Sequence, residues 1–214
     1  DEWLISPVSL LFFKHIRRLR IGDREMHWGS LGPGPVPDSE WMALHDNPDG
    51  AYLVARSADE AFPLDALSEI RQERLLGADQ EADFPACKVE IVLGAKGRLY
   101  VVLPTGVETS LPFACNAPFI QDPARLKIKD PETSPTNRWL LERVGSLAAS
   151  VMLQWLRDTS APIAERCRAY DLFLNVEGED SSLEETCAAA AAEAFGAAIE
   201  DQDFLLSDNG EMKS

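Results

Sequence analysis

Apolar residues recur at i, i+3, i+4 spacing from Trp139 onward, through Leu140, Val144, Leu147, Ala148, Val151, Met152 and Trp155. That period predicts a long helix with one wide apolar face. Its start is marked by Ser134 as N-cap and Pro135 at the first helical position, where a missing N–H costs nothing, and the run ends near Asp158. Ala161 to Leu174 predicts a second helix with Pro162 at its first position. Glu177 to Asp180 reads as a solvated linker. Ser181 or Ser182 then caps a third helix, Leu183 to Ala198, with Glu184 and Glu185 facing its positive end. The alanines at 188–192 are compatible with low complexity, but Leu183, Cys187, Phe195 and Ile199 give the segment a packing face.

The first 120 residues follow a different pattern. Leu10, Leu11, Phe13, Ile16 and Leu19 fit one helix face, while Ile16 to Ile21 also alternates, so a helix passing into a strand near His15 is expected. Gly29, Gly32, Pro33, Gly34, Pro35 and Pro37 predict a turn-rich connection, and Asn47-Pro48-Asp49-Gly50 a second turn after Trp41 and Met42. Ala51 to Arg56 is a short strand candidate. Leu64 to Leu76 fits a helix closed by Gly77. Lys88 to Leu93 and Arg98 to Leu103, flanking Gly94-Ala95-Lys96-Gly97, read as a β-hairpin that exits through Pro104-Thr105-Gly106. The expectation is an α+β fold, with a mixed sheet of about four or five strands packed on helices and a helical C-terminal part.

Composition places the 214 residues among globular chains, with 45% hydrophobic and 26% charged. No apolar run reaches bilayer-spanning length, and Asp1 onward does not resemble a secretory signal; the numbering reads as that of an excised piece. The formal charge is −16, and from Asp158 to the end fourteen acids against three bases leave −11, which disfavours nucleic acid as a partner. Lys14, Arg17, Arg18, Arg20 and Arg24 form the one basic cluster, either a solvated face or a local anion or partner contact. Cysteines 87, 115, 167 and 187 stand far apart without a CxxC, which points to reduced thiols and a cytoplasmic setting rather than a disulfide framework or zinc module. His15, His27 and His45 lack the spacing of metal ligands, so no metal site is expected.

No P-loop, GxGxxG or GxSxG occurs, and the paired acids of the C-terminal part read as solvated positions rather than an acid/base pair. The chemistry concentrates instead in residues 111–145. There an apolar run with the composition of a buried strand is followed by a polar loop broken at Asp122-Pro123 and Asp130-Pro131, and then by the long helix. The loop carries one arginine, Arg125, among short side chains, an arrangement that presents a cation outward. An ion pair with Asp122 or Asp130 is the plainer alternative for it, and for Asn116 a turn or strand-end amide.

Leu111-Pro112-Phe113, Asn116, Phe119, Arg125 and Asn137-Arg138-Trp139-Leu140-Leu141 together resemble the region downstream of the nucleotide-binding domain in sacsin-like and ninety-kilodalton heat-shock chaperone-like proteins of the GHKL ATPase group. Pro7 to Ile21 is similar to the segment that ends the ATPase domain there, and Phe204 to Gly210 to the opening of a further module. The helix start reads Asn-Arg-Trp where the family pattern has Trp-Asn, and Pro123-Ala124 precede Arg125 where the chaperones have a polar residue.

The resemblance implies a middle, or transducer, domain like domain 2 of ribosomal small-subunit protein five over residues 22–157. Residues 1–21 would then be the end of a preceding module and 158–214 an acidic helical extension. It implies that Arg125 reaches the terminal phosphate of ATP held upstream, with Asn116 as a second polar contact; a guanidinium suits this through its fixed charge and forked donors. The family's magnesium-holding Asn helix and adenine-reading Asp-x-Gly-x-Gly do not occur here. ATP and magnesium are therefore expected in the full-length protein, not in this piece, which on its own is expected not to be an enzyme. The partners implied are the upstream ATPase domain of the same chain and a client or partner protein. The alternative is a protein-interaction scaffold without ATP coupling, in which the helical tail and a sheet edge bind other chains.

Overall fold

The computed structural model describes residues 6–13, 15–45, 47–75, 83–175 and 181–213. Pro7–Phe12 is a single 3-10 segment. Strands β1 (Arg18–Ile21), β2 (Arg24–Pro33), β3 (Ser39–Leu44) and β4 (Asn47–Arg56) follow as an antiparallel meander. Helix α1 (Leu64–Glu73) leads to β5 (Glu90–Leu93), β6 (Arg98–Val101), β7 (Leu103–Glu108) and β8 (Phe113–Asn116), and then to α2 (Pro135–Arg157). The chain closes with α3 (Ile163–Arg166), a 3-10 turn (Cys167–Leu172), α4 (Leu183–Ile199) and a small hairpin of β9 (Leu205–Leu206) and β10 (Met212–Lys213). This is the expected α+β architecture: one mixed eight-stranded sheet in the order β1-β2-β3-β4-β5-β8-β6-β7, packed against helices.

Alternation along each strand sends side chains to opposite faces. Leu53, Ala55, Ile91, Leu93, Leu99, Phe113 and Cys115 meet the buried side of α2, including Leu140, Leu141, Val144 and Trp155. Val54, Val92, Tyr100 and Ala114 point the other way, under Leu10, Leu11 and Phe12 of the 3-10 segment. Against the outer side of α2 lies α4. A Cβ at Gly145 would collide with the carbonyl of Ala191, and Ala188 and Ala191 are fully buried, so the alanine run is a close-packing face.

Several local expectations hold. Ser134 caps α2 by accepting from Asn137 N, with Pro135 at the first turn, and Ser182 caps α4 by accepting from Glu185 N.

Others are corrected. The sheet has eight strands, not four or five. Residues 88–103 do not form a hairpin, because β8 inserts between β5 and β6, antiparallel to one and parallel to the other. Phe113, Ala114 and Cys115 of β8 are buried on both faces of the sheet, as an inner strand requires. The hairpin partner of β6 is β7, which contains Pro104-Thr105-Gly106. Gly29 to Pro33 is strand, accommodated by a register shift between Ser30 and Gly32, with Gly32 at φ 125. The backbone of Asn47 to Gly50 belongs to β4 rather than to a turn. The helix expected before His15 is only the 3-10 segment Pro7–Phe12, with Phe13 already extended, and Pro162 is an N-cap rather than the first residue of a long helix. The Leu76-Gly77 helix end and the linker at Glu177 to Asp180 lie outside the described residues.

Candidate functional site

Residues 120–129 form a small hairpin that projects from the start of α2. Gln121 and Ile128 pair antiparallel, Lys129 N donates to Ile120 O at 2.9 Å, and Asp122 N donates to Lys127 O at 2.9 Å. Phe119 and Ile128 are buried and anchor its base, whereas residues 123–127 are exposed. Asp122 to Arg125 is a tight turn with proline at its second position, closed by Arg125 N donating to Asp122 O at 2.9 Å. Arg125 has φ 56, in the left-handed region that a residue with a Cβ seldom adopts.

The hairpin is tied down on all sides. Asn137, fully buried in the first turn of α2, accepts from Ile120 N at 2.8 Å and donates to Ile120 O at 2.9 Å and Lys129 O at 2.8 Å. Its carboxamide thus bonds both strands of the hairpin, as a neighbouring strand would. Glu69 of α1 accepts from Ser134 Oγ at 2.9 Å and Thr136 N at 3.0 Å, fixing the same helix turn from the other side. Lys127 pairs with Glu184 of α4 at 3.0 Å, and Lys129 pairs with Glu73 of α1. Burial pushes the Glu184 carboxyl up, but the hydrogen bond and charge of Lys127, with a backbone bond, outweigh it and hold the group below its ordinary range. Gly106 of β7 donates to Leu126 O at 2.6 Å.

Arg125 is the exception within this framework. Its guanidinium is exposed and forms no ion pair among the described residues. Neither acid proposed as its partner takes it. One carboxylate oxygen of Asp122 accepts from Leu126 N and Lys127 N, and Asp130 Oδ1 accepts from Glu132 N. The arrangement can offer forked donors to an anion arriving from solvent.

Asn116, the second site candidate, lies elsewhere and is already engaged. It sits in β8 in register with Glu90 of β5, donates to Glu90 Oε2 at 2.8 Å, and accepts from Val102 N at 2.7 Å. Glu90, nearly buried, also receives Arg56 Nε at 3.0 Å. This row lines a groove of about 660 Å³ on the sheet face away from α2, together with Phe12, Trp28, Met42 and Pro118. The structure therefore does not join Asn116 to the Arg125 hairpin. It does supply roles that sequence reasoning missed for two residues: Asp122, read as punctuation before a proline and as an ion-pair alternative for Arg125, and Asn137, read only as part of a motif. An Asp-Pro pair three residues before an arginine is a turn signal that could have singled out the first; the second depends on contacts no local pattern shows.

His27 of β2 and His45, just past the end of β3, stack at 4.0 Å, and no group of three or more His, Cys, Asp or Glu is placed to hold a metal among the described residues. No helix among them is long and apolar enough to cross a membrane. Burial raises the Cys187 thiol to about 12 and Cys115 further still, leaving both protonated at neutral pH. No family model matches this chain, and neither does any curated protein or any solved structure.

Proposed function

We propose that this chain is a non-catalytic middle, or transducer, domain that couples ATP bound by an upstream module of the same protein to contact with a client or partner. In this reading Arg125 contacts the terminal phosphate of that ATP, whose magnesium is held upstream, and α2 carries the hairpin's position into the helical part of the domain. One observation carries the reading: an exposed guanidinium without an ion-pair partner among the described residues stands on a turn whose backbone is hydrogen-bonded at Asp122, Arg125, Leu126 and Lys127. Preorganised donors of this kind stabilise charge developing on phosphate oxygens without reorganising at the moment of reaction.

The test is ATP turnover by the full-length protein. Arg125→Ala is expected to lower kcat by roughly tenfold or more while nucleotide affinity stays nearly unchanged. Turnover equal to wild type removes the arginine from the mechanism. The groove beside Phe12, Trp28 and Met42 favours a second reading, an interaction scaffold without ATP coupling. That reading gains if no nucleotide effect depends on Arg125.

A further inference from the structure

We infer that Asp122 is the positioning residue for Arg125, an inference that rests on the phosphate-contact reading above. Four hydrogen bonds from this one residue bracket the arginine. Oδ1 accepts from Leu126 N at 2.9 Å and from Lys127 N at 3.1 Å, the two amides that follow Arg125. The main-chain carbonyl accepts from Arg125 N, and the main-chain amide donates to Lys127 O, each at 2.9 Å. Gln121 adds Nε2 to Arg125 O at 3.2 Å.

The carboxylate bonds are the ones a substitution can remove, and they act at the point that matters. A left-handed residue other than glycine persists only where its surroundings impose it. At Arg125 the imposing groups are the acceptor before it and the two amides after it. Pro123 completes the restraint by fixing φ at the second position of the turn. Without Oδ1 the amides of Leu126 and Lys127 turn to solvent, Arg125 relaxes toward the common backbone regions, and its side chain leaves the turn in a different direction. The same two bonds explain why Asp122, the acid nearest to Arg125 in sequence, does not neutralise it: that oxygen is directed behind the arginine, at the backbone.

Asparagine keeps the Oδ1 acceptor and alanine removes it, so the two substitutions separate geometry from charge. In the full-length protein Asp122→Ala is expected to lower kcat by about fivefold with nucleotide affinity unchanged, and Asp122→Asn to stay within about twofold of wild type. In an Arg125→Ala background Asp122→Ala is expected to add nothing, because a group that acts only through the arginine has nothing left to position. Wild-type turnover by Asp122→Ala alongside an impaired Arg125→Ala overturns the inference and leaves the phosphate reading standing. So does a double variant whose loss equals the product of the single losses. Wild-type turnover by Arg125→Ala overturns the phosphate reading itself. Hydrogen exchange on the unmodified chain tests the turn directly. The Leu126 and Lys127 amides are expected to be protected relative to an unstructured peptide, and exchange at the unstructured rate overturns the inference even if the alanine variant fails to fold.

Discussion

Two arginines of this molecule carry the same side chain to opposite ends. Arg143, on α2, spends its guanidinium inside the domain. Nε pairs with Glu60 at 2.9 Å, Nη1 donates to Cys87 O at 3.0 Å, and Nη2 donates to Ser57 Oγ at 3.0 Å and Ala58 O at 2.9 Å, while the plane lies over the Trp139 ring at 4.8 Å. Arg125 spends none of its charge internally; the contacts in its region come from the backbone and from its neighbours. The difference separates a group that holds the fold from a group that the fold holds. Counting arginines in a sequence does not distinguish them, and counting their remaining donors does.

The largest effect that sharpens this contrast is expected from Arg143→Ala. It removes the Glu60 ion pair, the bond to Ser57 Oγ and one of the two donors to each of the Cys87 and Ala58 carbonyls, releasing the 57–60 segment from α2 at a cost of about 3 to 5 kcal/mol in urea unfolding. Nucleotide turnover per folded molecule should not change. Arg125→Ala should do the reverse, leaving the unfolding midpoint within experimental error. If both variants behave alike in both assays, the distinction collapses.

Asn137→Ala comes next. It removes the partners of Ile120 N and Lys129 O and one of the two donors to Ile120 O at a fully buried position, an expected loss of about 2 to 4 kcal/mol. Because Asn137 joins the hairpin to α2, exchange should quicken at residues 120–129 before the rest of the sheet. Uniform exchange across the domain would show that the hairpin is not a separate unit carried by the helix.

The smallest effect is electrostatic. The Glu184 carboxyl is depressed in the fold, so the Lys127 pair contributes stability above the carboxyl's unfolded pKa and loses it as pH falls through the folded one. Both groups are partly exposed, which limits the contribution to about 0.5 kcal/mol or less. Lys127→Ala should therefore flatten the acid limb of the stability profile slightly, and an unchanged acid limb would mean that this strap contributes nothing to holding the hairpin.

The elements legible in the sequence are those whose signals are local. Ser134-Pro135 and the apolar period from Trp139 identify α2 because an N-cap bond and a helix face are settled within one or two turns of chain. Ser182 with Glu184 and Glu185 does the same for α4. The outward display of Arg125 was also legible, since prolines and polar residues mark a loop that cannot bury it. Strand order was not legible. A turn-rich segment between two apolar runs reads as a hairpin, and nothing within residues 88–103 reveals that Phe113–Asn116 will come between them. The glycines and prolines of residues 29–37 overstated the turn for a related reason: a bulge admits glycine into a strand once a neighbouring strand supplies the pairing.

What the sequence determined by itself was the alternation of helix and strand potential, the helix caps, the segregation of acidic charge toward the C-terminal part and the presence of an arginine on a proline-broken loop. Each depends on interactions between residues a few positions apart. Only the tertiary structure decided which strands are neighbours, which arginine keeps its donors, and that a buried asparagine in one helix holds the hairpin that carries the other. Those outcomes depend on hydrogen-bonding groups from distant segments meeting where water is excluded, and a buried polar group takes whichever partner the packing brings to it.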